Sequence, residues 1–436
     1  MPPSVLTATP WDAPDAFAAD VDALRAEVER EAPSAEAAGE VWAHRACSHA
    51  LTALGWALAP LGGWALPASA AALALGDFSR WILAHHLCHG AYDRAALPAS
   101  MRSGAYGRGW RRVTQWLDWT PADAWAHEHN ALHHARTNEP AHDPDLVQEK
   151  AAWLRAWRAP YALKVCAVWA GACVWRPLYY GPNTLLELER ARLRRAGAAG
   201  AAEALSLYRW GSWLGGARPL LWWALWRSWL PNAARLALLP AAAWALLGAE
   251  AGGWALWASL LGQLLANLHS FWVIVPNHAG DDLLTFEGKP GGRGIFYARQ
   301  VAGSCDYQTG HPVGDFVLGY LNYQIEHHVW PQMTMGQCRR AQPRLKALCA
   351  RWGLPYRQEA VWRRGARMVA VAAGRATMGA GGGAGGGAGG ASAARDAEAH
   401  GAELLGGEAP EAIGDAALVG VVAPAPAAED AAGIAR

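Results

Sequence analysis

From residue 236 to residue 288 the chain carries no Lys or Arg. Within that run LALLPAAAWALLG, a break at AEAGG, and WALWASLLGQLLANLHSFWVIV read as two apolar helices joined by a tight turn. Residues 46–84 repeat the design, apolar on both sides of APLGGWALPAS and without Lys or Arg before Arg80. Each leg offers about 15–20 residues, the short end of what crosses a bilayer. A water-soluble core has no use for such lengths of uncharged helix. The expected fold is therefore an all-α integral membrane protein, with two transmembrane helical hairpins and a cytosolic helical cap built from the intervening segments.

Composition agrees. Hydrophobic residues make up 53% of the 436, charged residues only 17%, and the 26 Trp concentrate at the ends of apolar runs, as in interfacial belts. Arg102, Arg108, Arg111 and Arg112, then Arg190, Arg192, Arg194 and Arg195, crowd the segments between the hairpins. The positive-inside rule puts those segments in the cytosol and both hairpin turns on the far side, a multi-pass topology. Two further apolar stretches, 161–175 and 218–230, would upset that count if only one of them spanned. They are Trp-rich and contain or adjoin Lys164, Arg176 and Arg227, so they are expected to lie in the interface. A net charge of +1 without a basic, aromatic-interleaved cluster excludes nucleic acid as a partner. Seven cysteines with no CxxC pair read as free thiols. Residues 1–40 are acidic and Ala/Pro-rich, and 371–436 are dominated by Gly and Ala. Both are expected to be disordered tails flanking a folded domain over 41–370.

Histidines supply the chemistry. HHLCHG places His85 and His89 at i, i+4 near the cytosolic end of the second leg. AHEHNALHHARTN does the same for His129 and His133, with His134 about 100° further round a regular helix. LNYQIEHHVWP sets His327 and His328 on either side of Gln324, and His278 follows the last apolar helix directly. A lone histidine at a helix end is ordinarily a hydrogen-bonded core residue. Eight on one side of a membrane are another matter. Each buried unpaired imidazole costs roughly 1–3 kcal/mol, so eight would exhaust the roughly 5–15 kcal/mol that holds a domain together. Metal coordination converts that liability into binding energy. Imidazole donors alone do not choose between iron, copper, nickel and zinc. A redox metal at the mouth of a membrane bundle can meet a lipid tail and dissolved oxygen together, whereas zinc could offer only hydrolysis there.

These clusters, with EHNALHH, ARTN, HDPDL, NHAGDD, RQVAGS (299–304) and LNYQIEHHVWPQM, resemble the histidine boxes of the membrane fatty acid desaturases, over roughly residues 80–345. The resemblance implies two iron ions, O2 as co-substrate, a fatty acyl-CoA or acyl-lipid substrate, and removal of two hydrogens from adjacent methylenes. Carried over position by position, the metal ligands are His85, His89, His129, His133, His134, His278, His327 and His328. Gln324 stands where many members have His, as in front-end desaturases. His86 and Cys88 stand where Asp and Asn are common. No His-Pro-Gly-Gly haem motif is found, since HPVG (311–314) lacks its first glycine. A separate electron donor, cytochrome b5-like or ferredoxin, is therefore expected.

Gln324, His86, Asn130, Asp143, Asp145 and Asp281 are candidates for additional ligands or for hydrogen-bonding partners of the ligands. Glu128 and Glu326 are expected to point off the ligand face into salt bridges with Arg. His269 is expected to hydrogen-bond within the bundle, and Phe271, Trp272 and Trp330 to line an acyl tunnel. Two other functions compete. A lipid or carotenoid hydroxylase could use the same scaffold. A non-catalytic metal transporter would need polar groups at mid-membrane depth, which spans of Ala, Leu, Trp and Gly do not offer.

Overall fold

The computed structural model describes residues 8–31, 34–115, 119–215 and 219–381. It is helical throughout apart from one short parallel pair, β1 (Leu284–Phe286) beside β2 (Gly379–Gly381).

Helices α1 (Pro14–Glu31), α2 (Ser34–Leu58) and α3 (Ala65–Cys88) open the chain. The first hairpin, α2 with α3, is held by small residues and hydroxyls. Ser48 donates to the Gly76 carbonyl at 2.9 Å and Ser69 to the Gly55 carbonyl at 2.8 Å. A Cβ at Gly76 would stand 2.6 Å from Thr52 Oγ1 and 3.0 Å from its backbone nitrogen, so only glycine permits this approach. The turn passes through Gly62 at φ 59°, where any Cβ would meet the Trp254 ring at 2.4 Å. Trp254 belongs to the second hairpin.

Residues Tyr161–Trp175 form α4, which continues through a wide turn into α5 (Gly181–Arg195). The second hairpin pairs α6 (Leu220–Leu247) with α7 (Ala249–Ile274). Among the described residues, α6 and α7 with its last turn to His278 are long and apolar enough to cross a membrane. Their outer faces are bare: Trp244, Leu246 and Trp257 are 62%, 81% and 58% exposed. Of the stretch 218–230, expected to be a helix lying in the interface, residues from Leu220 on are the start of α6, continuous with its apolar length. Its apolar side chains propagate the helix without a break.

Between the hairpins lies a polar group that the apolar reading of the spans passed over. Asp77, near the middle of α3, binds Arg176 Nη2 at 2.8 Å, Arg80 at 2.9 Å and Arg235 at 3.0 Å, and Asn267 of α7 accepts from Arg176 Nε at 2.8 Å. Arg176 is wholly buried over the faces of Trp81 and Trp119. The bundle is thus not purely apolar, and the composition of its spans does not count against transport.

The cap is completed by α8 (Arg293–Ala302), α9 (Gln324–Val329), α10 (Met335–Arg351) and α11 (Val361–Ala372). Within the N-terminal segment expected to be disordered, α1 is part of the cap. Phe17, Val21, Leu24 and Val28 of α1 recur at helical spacing, are buried, and share a core with Tyr297, Ile325, Trp330, Leu345 and Trp352. Acidic side chains on the other face bind out: Glu31 reaches Arg344 at 2.9 Å and Asp22 accepts from Tyr297 at 2.8 Å. The fold also extends past 370, because β2 closes on β1. The remainder of the expected Gly/Ala tail, from 382, lies outside the described residues. All seven cysteines are free.

Candidate metal centre

Four separate segments bring the histidines together. The last turns of α3 carry His85, His86 and His89. Residues His127–His133 are wound as a π-helix, with hydrogen bonds from i to i+5, and deliver His129, His133 and His134. A single 3-10 turn after α7, Val275–His278, carries His278, and α9 carries His327 and His328. All are buried.

They sort into two adjoining groups. The nitrogens of His85, His89, His129 and His327 lie within 4.8 Å of one another, and so do those of His133, His278 and His328. His134 stands between the groups. Its ring stacks on His328 at 4.1 Å and lies 4.5 Å from His89, and its Nε2 is 3.2 Å from His129 Nε2. A regular helix would have turned His134 well away from His129. The extra residue in the π-turn brings it back.

The donor set fits metal ions. His85 Nε2 faces His327 Nε2 at 3.0 Å, the separation of two nitrogens bound at about 2.1 Å and a right angle to one cation. His89 Nε2 and His328 Nε2 are buried without a hydrogen-bond partner, whereas buried polar atoms are almost always satisfied. Burial first, and the neighbouring imidazoles second, hold His129, His134, His327 and His328 well below the usual histidine range, so their lone pairs are free to bind.

Around the rings are partners of two kinds. Asp143 accepts from His133 Nδ1 at 2.9 Å and is itself held by the amides of Asn138 (2.7 Å) and Asp145 (2.9 Å). Burial works against the Asp143 carboxylate, but His133 and the two amides outweigh it and keep its pKa below the ordinary value. Asp145 comes within 4.8 Å of the donor nitrogens of His129 and His133, and burial pushes its carboxyl up to about 6. Gln324 Nε2 lies 2.8 Å from His278 Nε2, with the Gln324 carbonyl held by Asn277 at 3.1 Å.

The other candidates lie outside the two groups. His86 bonds the Gly319 carbonyl at 3.4 Å, and Asn130 ties the π-segment to the Cys88 carbonyl at 2.9 Å. Asp281 is half-exposed and bound to Arg367 at 2.5 Å, away from the histidines. His269 bonds the Val317 carbonyl at 2.8 Å. Trp330 packs in the core of α1, α8 and α10 rather than beside the bundle, and the aromatic wall next to the rings is Trp125, stacked on His129 at 4.7 Å.

Two expectations fail outright. Neither Glu128 nor Glu326 meets an arginine. Glu128 accepts from Tyr180 at 3.1 Å, and Glu326 accepts from Tyr356 at 2.8 Å beside Asp306. Burial, then the adjacent acids, push both glutamates well above the carboxylate range, and burial lifts Asp306 to about 7. Sequence reasoning also missed Gln300, Thr137 and Ser304, which touch the rings. Gln300 and Ser304 sit in RQVAGS, already part of the family resemblance, and that was the available signal.

An all-α chain with helices fit for a membrane and two conjoined, buried imidazole groups defines a narrow class of protein. The family model described as fatty acid desaturase matches residues 62–360, and the chain belongs to that family. It is similar to fatty acid desaturase 3 of Bos taurus (44% identical over 57 residues, 13% of this chain and 13% of the relative). It is also similar to the NADPH-dependent stearoyl-CoA 9-desaturase of Mycobacterium tuberculosis (32% over 104 residues, 23% and 24%). A third relative is Delta(8)-fatty-acid desaturase 2 of Arabidopsis thaliana (35% over 86 residues, 20% and 18%). These matches thus span less than a quarter of each relative's length. No solved structure matches.

Proposed function

We propose that this chain is an oxygen-dependent fatty acyl desaturase with a non-haem diiron centre. The observation that carries the reading is the pair of imidazole groups bridged by His134 at the end of apolar helices. His85, His89, His129 and His327 would hold one iron, and His133, His278 and His328 the other, with His134 available to either. When bound, the two irons would activate O2 and remove two hydrogens from adjacent methylenes of an acyl chain.

The chain's own residues supply the rest. The buried rings exclude water, Asp143 holds the proton on His133 Nδ1, and the Trp125 ring closes the wall beside His129. Both hairpins cross the bilayer, and the cap and histidines face the cytosol. The substrate is a fatty acyl-CoA or acyl-lipid, and a separate cytochrome b5-like protein or ferredoxin delivers electrons. Gln324 in the third box favours front-end regioselectivity, and relatives bearing Delta(8) and stearoyl-CoA 9-desaturase names support an acyl substrate.

Expression in a yeast host fed a panel of fatty acids, with gas chromatography–mass spectrometry of the methyl esters, tests this. A product lighter by two hydrogens supports desaturation. One heavier by an oxygen would make the chain a hydroxylase on the same scaffold. His133→Ala and His328→Ala should each abolish product while leaving membrane insertion intact, and wild-type conversion by either would overturn the ligand assignment.

A further inference from the structure

The two imidazole groups have unlike surroundings. In the trio, every ring has its Nδ1 engaged by the protein. His133 Nδ1 meets the Asp143 carboxylate at 2.9 Å. His328 Nδ1 meets Gln300 Oε1 at 2.9 Å and Thr137 Oγ1 at 3.2 Å, and His278 Nδ1 meets Ser304 Oγ at 3.4 Å. Thr137 already donates its hydroxyl proton to the His133 carbonyl at 2.8 Å, so toward His328 it can only accept. Gln300 is fixed in turn, because its amide nitrogen donates to the His134 carbonyl at 3.1 Å. In the quartet the Nδ1 atoms of His129 and His327 are buried with no protein partner.

An imidazole that gives Nε2 to a cation carries its proton on Nδ1. In the trio the acceptors for those protons are in place before any metal arrives, and one of them is an anion. Such partners fix the tautomer and the ring, raise the donor strength of the ligand, and typically change affinity 10–100-fold each. Two features oppose this. The quartet has one more imidazole, and the Gln324 amide must leave His278 Nε2, 2.8 Å away, for a cation to bind there. Asp145 does not discriminate, since it lies near both His129 and His133. Asp143 and Gln300 together outweigh the additional ring.

Resting on the diiron reading above, we infer that the two metal positions are inequivalent and fill in order: the trio first, with Asp143 and Gln300 as its positioning residues, and the quartet second.

The test is titration of the metal-free, detergent-solubilised full chain with Co(II). It is followed by the visible d–d absorption and by metal analysis after buffer exchange, with near-ultraviolet circular dichroism to confirm folding. The wild type should take up one equivalent at least tenfold more tightly than the second. His85→Ala should lose the weak step and keep the tight one. In that background Asp143→Asn and Gln300→Leu should each weaken the remaining step 10–100-fold. Gln300→Glu, which keeps the acceptor and adds charge but gives up the donation to the His134 carbonyl, should bind more tightly than Gln300→Leu, which a packing role for Gln300 does not predict. If Asp143→Asn fails to fold, the Gln300 pair carries the test. One unresolved step of two equivalents, loss of the tight step in His85→Ala, or equal affinities for Gln300→Leu and Gln300→Glu would overturn the inference. No bound metal in the wild type would instead sink the diiron reading itself.

Discussion

Phe17→Ala tests whether the N-terminal helix is a working part of the cap. Phe17 is fully buried and meets the edge of Trp352 with ring centroids 5.5 Å apart. Truncating a buried Phe costs about 3–5 kcal/mol, to which an aromatic pair adds about 0.5–1.5 kcal/mol. The cost depends on how far neighbours close in on the vacated site, and the lower end is taken here. At about 1.4 kcal/mol per factor of ten, 3 kcal/mol makes detachment of α1 roughly a hundredfold more frequent. Hydrogen exchange followed by mass spectrometry should report this directly. Amides of 14–31 should exchange roughly a hundredfold faster, while those of α10 hold. The effect should also reach the metal centre, because α1 braces α8 through Asp22 with Tyr297 and Arg293, and α8 carries Gln300. Exchange in 14–31 unchanged within about threefold would refute the assignment of α1 to the cap core, and unchanged metal retention would refute the brace.

Other outcomes follow from the same geometry. Gly76→Val should lower the melting temperature in detergent, by about 1–3 kcal/mol of overpacking against Thr52, whereas Gly171→Ala in α4, where a Cβ meets nothing within 4 Å on ordinary helical backbone, should not lower it. Tyr356→Phe removes the hydroxyl shared by Asp306 and Glu326 and should cost about 1–3 kcal/mol, measurable as a lower denaturation midpoint; an unchanged midpoint would mean the acids satisfy each other. Stripping metal with a chelator should lower the melting temperature, reversibly on adding Fe(II) without oxygen, because ligands of the native state stabilise it by mass action. A melt indifferent to chelation would contradict a metal held by these rings.

How much of this was legible beforehand differs by element. The second hairpin was visible because most of it falls in residues 236–288, which carry no Lys or Arg. The histidine boxes were visible because each is local in sequence. What escaped depends on partners far along the chain. Asp77 was passed over inside an apolar run, because its partner Arg176 lies 99 positions on. Glu326 was assigned to arginine because nothing in LNYQIEHH announces Tyr356, 30 positions later. Helix α1 was lost to composition, since Asp, Glu and Ala outnumber the four apolar residues that bury it. The second box was read on a regular helical wheel, and the wheel was wrong by one residue per turn.

That widened turn bears on how such a centre could arise or be lost. The register of His133 and His134 against His129 depends on one surplus residue between Ala126 and His134, so removing a single residue there would tighten the coil and swing a ring out of reach. No point substitution accomplishes that, and none would repair it. Deletion scanning across 130–132, where Ala131 and Leu132 carry no ring, should therefore be far more damaging than replacing either side chain.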